Sequence, residues 1–176
     1  MLKALGHFKT ITKHHNIVMV HCYKAGILWQ GIIHDLSKYS PSEFFVGAKY
    51  YTGTKSPNEK EREVYGYSAA WMHHKGRNKH HFEYWTDYNP KTKKVEPVEM
   101  PLKYVKEMFC DRVAASKTYL KDNYHEGHPL EYFLNGKDRR GAIIHKATSD
   151  LLESWLVMLK NEGEQKTFAH IKALKG

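Results

Sequence analysis

Histidine is abundant in this sequence and often stands beside a second histidine or an acid. The chain has 13 histidines among 176 residues. Three adjacent pairs account for several of them: His14-His15, His73-His74 and His80-His81. Imidazole combined with carboxylate suits Zn, Mn, Fe or Ni and requires no thiolate. The sequence therefore predicts a metal site built from histidine and acidic side chains.

One such combination is His34-Asp35, at the end of the apolar run GII. Adjacent side chains point about 100° apart on a helix, but both can reach one ion if the helix end faces it. An unpaired aspartate would be costly to bury beside an apolar run, which favours a bound cation. The alternative for Asp35 is a helix N-cap or a solvated carboxylate.

A second histidine should come from an N-terminal helix of about two dozen residues, where apolar residues recur every three or four positions. The centre of its apolar stripe is marked by Ile11, Val18 and Cys22. His14 and His15 fall about equally far to either side of that centre. One of them should face the core, but periodicity does not choose between them.

Residues 73–81 (HHKGRNKHH) hold four imidazoles within a short segment. His74 continues the helix face of Val64, Tyr67 and Trp71, so it points inward better than His73. Spacing does not separate His80 from His81. The alternative for the whole segment is a solvated basic turn.

Basic residues in the same segment, Lys75 and Arg77 among them, could contact phosphate oxygens. The formal net charge of +9 also favours anionic partners, such as nucleotides, phosphorylated metabolites, nucleic acid or an acidic protein. A merely soluble basic surface explains the charge equally well, because charge alone selects no ligand.

Helix start signals are strong in the first half of the chain. Ser40–Glu43 and Ser56–Glu59 each have a serine, a proline at the first helical position and a glutamate at the third, which together predict capping boxes. The second should open a helix that continues to Gly76. Pro101 opens a long helix that should run through Leu120.

The pattern as a whole predicts an all-α protein with a compact bundle of about six to seven helices. Prolines break the helical pattern near 84–98, where a small hairpin is an option. Residues 127–137 read as a loop with one helical turn, and a last long helix follows Ile144.

Composition excludes several classes of protein. No run approaches the ~18 apolar residues of a membrane span, and the N-terminus lacks the apolar core of a signal peptide. We therefore expect a cytoplasmic protein without membrane contact. Neither Cys22 nor Cys110 belongs to a CxxC pair, so a cysteine zinc site is excluded and both read as reduced core thiols.

The segment HDLSK resembles the signature of HD-superfamily metal-dependent phosphohydrolases, in which a lysine near the substrate phosphate often follows the dipeptide. Here that lysine is Lys38. The segments TITKH, QGIIHDLSKYSPSEFF, AWMHHKGRNKHHFEYW and FCDRVAASK more closely resemble an uncharacterised bacterial and phage family that looks like a compact HD variant. The resemblance covers roughly residues 8–124, the core of one HD-like domain over 1–176 with C-terminal helices at 138–175.

The resemblance implies a set of metal ligands, of which His14, His34, Asp35 and Asp111 would hold one divalent ion. Asp111 lies off the main apolar stripe of its helix, and a salt bridge to its neighbour Arg112 is the alternative for it. The extra histidines of the family pattern map onto 73–81, where His74 and His80 or His81 would hold a second ion bridged by Asp35.

The resemblance also implies a reaction. One or two ions of Mn, Fe, Zn, Ni or Mg would activate a water for attack on phosphorus, and Asp35 would take part in that catalysis. Lys38, helped by Lys75 or Arg77, would neutralise phosphate oxygens. The substrate would be a phosphomonoester, a phosphodiester or a nucleotide.

Two other functions remain open at this stage. An HD-type di-iron oxygenase would use the same ligands for oxygen chemistry. A basic module that binds nucleic acid or another protein would use a metal only for its structure. The sequence predicts neither the substrate nor the oligomeric state.

Overall fold

The computed structural model describes residues 2–136 and 143–175. Eight α-helices lie within these ranges: α1 (Leu2–Lys24), α2 (Leu28–Ile33), α3 (Pro41–Tyr50), α4 (Pro57–Tyr65), α5 (Ala69–Lys75), α6 (Leu102–Leu120), α7 (His128–Asn135) and α8 (Lys146–Ala173). Strands β1 (Thr86–Asn89) and β2 (Lys94–Pro97) form an antiparallel hairpin. None of the helices within these ranges combines the length and apolar character needed to cross a bilayer.

The mainly helical prediction is confirmed, but the hairpin means that the protein is not purely α. The helix count differs because the helix expected from Ser56 to Gly76 is two helices. Gly66 ends α4 in the left-handed conformation (φ 78°), and the Ser68 hydroxyl accepts the Trp71 N–H to begin α5. Residues predicted as a loop with one turn also form the longer helix α7.

The two predicted capping boxes were wrong, although both prolines occupy the first helical position as expected. Neither Ser40 nor Ser56 makes a side-chain cap hydrogen bond. At the first box, the Glu43 carboxylate accepts hydrogen bonds from His73 and His74 instead of reaching back to the helix start. A tertiary contact has therefore replaced the local one.

The helix expected to continue through His34, Asp35 and Leu36 ends earlier. Helix α2 stops at Ile33, and His34 has extended backbone angles (φ −54°, ψ 128°). Asp35 adopts the left-handed conformation with φ 54°, and a 3-10 turn follows at Leu36–Tyr39. The His34-Asp35 pair thus lies on a sharp change of chain direction, not on a regular helix.

The apolar core lies where α6 and α8 pack together beside α1. Phe109 and Trp155 meet edge to face in it, with ring centroids 6.1 Å apart. Each fully buried large apolar side chain contributes roughly 1.5–3 kcal/mol. Both cysteines are free and buried in this core, as predicted. Helix α1 also packs against α2 and α3, which brings the ends of several elements to one region.

The C-terminal helices predicted over 138–175 are described only in part. Helix α8 covers most of that range and changes direction at Gly163, whose φ is 82°. Residues 137–142 lie outside the described residues. The assignment of the whole chain to one HD-like domain stays a prediction.

Candidate metal centre

Four side chains from distant parts of the chain come together between α1, α6 and the end of α2. His14 comes from α1, Asp111 from α6, and His34 and Asp35 from the end of α2. His14 Nε2 lies 3.0 Å from Asp111 Oδ1, and His34 Nε2 lies 3.6 Å from the same oxygen. We refer to these four residues as site A; one ligand atom from each lies within 4.8 Å of all the others.

A second group adjoins the first and shares Asp35 with it. His74 from the last turn of α5 and His80 from the following loop place their Nε2 atoms 3.2 Å and 3.4 Å from Asp35 Oδ1. His81 completes the group, again with ligand atoms within 4.8 Å of one another. We refer to Asp35, His74, His80 and His81 as site B.

The two oxygens of Asp35 face different sites. Oδ2 lies 3.2 Å from His34 Nε2 in site A, whereas Oδ1 faces the two imidazoles of site B. Among the residues that the structure describes, Asp35 is one of three other than glycine with a positive φ, a conformation that persists where surrounding contacts enforce it. The left-handed backbone thus holds a carboxylate between two groups of histidines.

Unpaired buried atoms show that the two sites fit a cation. Among the described residues, several buried atoms have no partner in hydrogen-bonding geometry: Nε2 of His14, His34, His80 and His81, and Asp35 Oδ1. The other Asp35 oxygen, Oδ2, pairs with the Lys38 ammonium group. Leaving such atoms unpaired costs roughly 1–3 kcal/mol each. All of them are atoms that bind transition metals in proteins. A cation in each site would satisfy them together.

The spacing of these atoms agrees with this conclusion. Ligands that lie 2.0–2.2 Å from a metal and 90–110° apart are separated from each other by about 2.8–3.6 Å. The distances from the imidazole Nε2 atoms to the carboxylate oxygens of Asp35 and Asp111 run from 3.0 Å to 3.6 Å. The side chains therefore already have the separations of neighbouring ligands on one ion.

The acids of the two sites are held in their charged form. Burial would raise the pKa values of Asp35 and Asp111, but neighbouring histidines lower both well below the ordinary range. Lys38, whose Nζ lies 2.5 Å from Asp35 Oδ2, also lowers the pKa of Asp35. Ionised carboxylates are the form that binds metal.

The histidines divide into two classes. Burial lowers the pKa of His14, and burial together with the neighbouring His80 and His74 lowers that of His81. Burial would also lower the pKa of His34, but Asp35, Asp111 and Glu107 raise it well above the ordinary value. Without metal, a protonated His34 therefore supplies a positive charge among these acids. A bound cation would supply that positive charge instead, and His34 would then be neutral.

Two further carboxylates that the sequence analysis did not identify orient the imidazoles. Glu107, one turn before Asp111 on α6, accepts hydrogen bonds from Nδ1 of His34 and of His80, both at 3.0 Å. Glu43 accepts from Nδ1 of His74 at 2.8 Å. A metal-binding histidine commonly donates its other ring N–H to a carboxylate in this way. The four-residue spacing of Glu107 and Asp111 was the available signal for the first of them.

The structure also separates the adjacent histidines. His14 faces Asp111 in site A, whereas Nδ1–H of His15 donates to the His34 backbone carbonyl at 2.9 Å and supports the turn. His74 is buried in site B, whereas His73 is partly exposed and pairs with Glu43. His80 and His81 both lie in site B, so the choice between them does not arise.

A family comparison adds one finding. The model of a family of unknown function, DUF5662, matches residues 3–158. The chain belongs to this family. No curated protein and no solved structure matches the chain. The matched range of the family includes every residue of sites A and B.

The three basic residues predicted to contact phosphate lie in different environments. The Lys38 ammonium group contacts Asp35, and the Lys38 side chain as a whole is one-third exposed, so this side chain borders both the centre and solvent. Although burial alone would lower the Lys38 pKa, Asp35 and Asp111 raise it, and the side chain stays charged. Arg77 is exposed and its guanidinium donates to the His73 carbonyl, while Lys75 ends α5 without a described contact to either site. Of the three, Lys38 is the one with a described contact to a residue of sites A and B, and phosphate binding by any of them stays a prediction.

A third group of similar residues lies on the surface, at the start of α7. It consists of His125, His128 and Glu131, and their ligand atoms also lie within 4.8 Å of one another. Here the imidazoles accept hydrogen bonds from the backbone: the His125 N–H reaches His128 Nδ1 at 2.9 Å, and the Gly127 N–H reaches His125 Nδ1 at 3.2 Å. These histidines stabilise a turn.

Proposed function

We propose that this protein is a metal-dependent phosphohydrolase with a divalent cation in each of sites A and B, on a compact variant of the HD fold. One observation carries the proposal: unpaired buried imidazole nitrogens surround an Asp35 carboxylate whose two oxygens face different sites. Two cations sharing a carboxylate are the usual arrangement for clamping the attacking and leaving oxygens of a phosphate ester.

A cation bound there supplies Lewis acidity and a water that is acidic enough to react near neutral pH. The chain's own residues hold and orient the centre. Asp111 is the more exposed of the site A acids, at 18% against 3% for Asp35, and Lys38 is exposed to 32%. A substrate would therefore approach along the side of the centre formed by Asp111 and Lys38.

Lys38 supports phosphate as the substrate group. Its ammonium group is held at the edge of the centre by Asp35 and stays charged, so it can neutralise phosphate oxygens as negative charge builds up in the reaction. The net charge of +9 adds a field that attracts anions. Both features favour a phosphomonoester, a phosphodiester or a nucleotide over a neutral ester.

The test combines metal analysis with an activity screen. Protein purified without chelator should contain close to two divalent ions per chain by elemental analysis. Reloaded with Mn, Zn, Ni, Fe or Mg, it should hydrolyse members of a panel of nitrophenyl phosphates and nucleotides. Asp87→Ala, which removes an exposed acid of the hairpin, is the control and should keep both properties. Metal-loaded protein that hydrolyses none of the panel would contradict the proposed reaction.

A di-iron oxygenase is the second candidate, and the composition of site B favours it. His74, His80 and His81 give that site three imidazoles and one carboxylate, a nitrogen-rich donor set that suits iron. Iron as the ion that co-purifies, together with oxygen consumption in the presence of a substrate, would support this candidate. Hydrolysis supported by Mn or Zn without oxygen would exclude it.

A further inference from the structure

Glu107 occupies an unusual place, because one of its oxygens contacts both sites. Oε1 lies 3.0 Å from His34 Nδ1, which belongs to site A, and 3.0 Å from His80 Nδ1, which belongs to site B. The two imidazole rings lie side by side, with centroids 4.3 Å apart and planes tilted by 38°. Glu107 is buried, so water does not compete for this oxygen.

The contact fixes the tautomer of both rings. A carboxylate oxygen only accepts hydrogen bonds, so Nδ1 of each ring carries a hydrogen, and in the neutral ring that binds metal Nε2 carries the lone pair. Nε2 of His34 then faces Asp35 Oδ2 at 3.2 Å, and Nε2 of His80 faces Asp35 Oδ1 at 3.4 Å. Neither Nε2 has a hydrogen-bond partner of its own.

Glu43 makes a related contact that reaches one site only. It accepts from Nδ1 of His74, a member of site B, and from Nδ1 of His73, which belongs to neither site. It lies on α3, whereas Glu107 lies on α6 with the ligand Asp111. The two glutamates are therefore matched in chemistry and differ in how many sites they serve.

From this difference we infer that Glu107 is a positioning residue that couples sites A and B, so that its loss weakens cation binding at both sites while loss of Glu43 weakens site B alone. The inference rests on the proposed function only in requiring that both sites bind cations. It does not depend on which reaction the centre catalyses. Mutation of a carboxylate that orients a metal-binding histidine typically lowers the metal affinity by roughly 10–100-fold.

The glutamine variant is the sharpest probe of Glu107. In Glu107→Gln the side chain keeps its size, but its amide has one oxygen and one NH2 group. The amide oxygen can still accept a hydrogen bond from one Nδ1–H. The NH2 group is a donor, so it cannot accept a hydrogen bond from the Nδ1–H of the other ring. Glu43→Gln is the matched control, because it makes the same chemical change in a carboxylate that contacts site B through His74 and does not contact a histidine of site A.

The experiment is a calorimetric titration of metal-free protein with Mn²⁺ or Co²⁺, with the visible spectrum of bound Co²⁺ followed in parallel. Wild-type protein should bind two ions. Glu107→Gln should weaken both binding steps by about 10–100-fold and change the whole Co²⁺ spectrum. Glu43→Gln should weaken one step and leave the other within about 3-fold. Far-UV circular dichroism of each metal-free variant checks that the helices are intact.

The outcomes distinguish this inference from the proposed function. Wild-type protein that binds two ions while Glu107→Gln binds them equally well, or loses only one step, would overturn the coupling. Equal effects of Glu107→Gln and Glu43→Gln on both steps would also overturn it. Wild-type protein that binds two ions but hydrolyses nothing would remove the proposed reaction and leave the coupling intact. Wild-type protein that binds no ion would overturn both.

Discussion

The buried centre and the surface group at the start of α7 contain the same residue types but use their imidazoles in opposite ways. In the centre, glutamates accept the Nδ1–H of His34, His80 and His74, so a neutral ring there has its lone pair on Nε2. In the surface group, Nδ1 of His125 and His128 accepts backbone N–H groups, so a neutral ring carries its hydrogen on Nε2.

This difference teaches how to recognise a metal site among clustered histidines. Proximity is the same in both groups, because the ligand atoms lie within 4.8 Å in each. What differs is burial and the partner of the second ring nitrogen. Unpaired lone pairs are costly only in the buried centre, and only there does an outer carboxylate prepare them for an ion. We therefore expect metal in the centre and none at the surface.

The largest effect should come from Asp35, the residue shared by sites A and B. Asp35→Ala removes a ligand from both sites, and it also removes the acid that holds Lys38 and His34. We expect the variant to lose both ions and all metal-dependent activity. Elemental analysis beside the exposed-acid variant Asp87→Ala measures this. An Asp35→Ala protein that keeps two ions would show that the ions do not bind beside Asp35, and the buried centre would then not differ from the surface group in binding metal.

Single-site variants should divide the centre into its two parts. His14→Ala removes a ligand from site A only, and His81→Ala removes one from site B only. Each should weaken binding at one site by at least about 100-fold and leave one ion per chain. Titration with Mn²⁺ checks this. Loss of both ions in each variant would mean that the sites bind as one unit.

Lys38 should affect the reaction more than the metal content. Lys38→Met removes the cation at the edge of the centre and should lower kcat/KM for a phosphate ester by about 100-fold. The metal content should stay unchanged, since lysine is not a ligand. Arg77→Met, which changes an exposed side chain, should cost much less. Equal losses in the two variants would argue for a diffuse basic surface.

A buried histidine outside the centre predicts how stability changes with pH. Burial lowers the pKa of His21 to about 4, and its Nδ1–H donates to the Cys110 carbonyl. The unfolded chain binds this proton at higher pH than the folded one, so protonation favours unfolding. Stability is therefore lost as the pH falls from about 6.5 towards 4.

The corresponding measurement is urea unfolding of metal-free protein at pH 7 and pH 5. His21 should account for about 2 kcal/mol of the decrease in unfolding free energy between the two values. His21→Gln removes this titration, so its decrease should be smaller by that amount even if the variant is less stable throughout. An unchanged pH dependence would show that His21 titrates normally in the fold.

The smallest effect should come from the surface group. His128→Ala removes the acceptor of one backbone N–H and should cost about 0.5–1.5 kcal/mol in unfolding free energy. It should not change the metal content, because His128 Nε2 lacks a lone pair in the neutral ring. A lower metal content in this variant would mean that the surface group also binds an ion.

The sequence predicted the long helices well because their signals are local. Helix α1 has the expected length of about two dozen residues, and α6 begins directly after Pro101. The hairpin also lies where prolines break the helical pattern. The break between α4 and α5 was not predicted, although a glycine, Gly66, ends α4 there. His74 is nevertheless buried as expected, although Val64 and Tyr67, on whose face it was placed, are exposed.

The residues of the candidate site could be predicted only from their chemical types and from the resemblance to HD-type proteins. The left-handed backbone of Asp35 depends on tertiary contacts and left no local signal. Glu107 meets His34 across 73 positions of the chain, and Glu43 meets His74 across 31. Glu43 also matched a capping box, so the local pattern pointed to the wrong partner. Long-range contacts of this kind require the fold before they can be seen.

The central claim is that two cations bind on either side of the Asp35 carboxylate. Anomalous diffraction from crystals grown with Mn²⁺ or Zn²⁺ tests it directly, because it locates each ion without reference to activity. We predict two peaks, one among His14, His34 and Asp111 and one among His74, His80 and His81. Crystals without a peak beside Asp35, or with metal only at His125 and His128, would contradict the account.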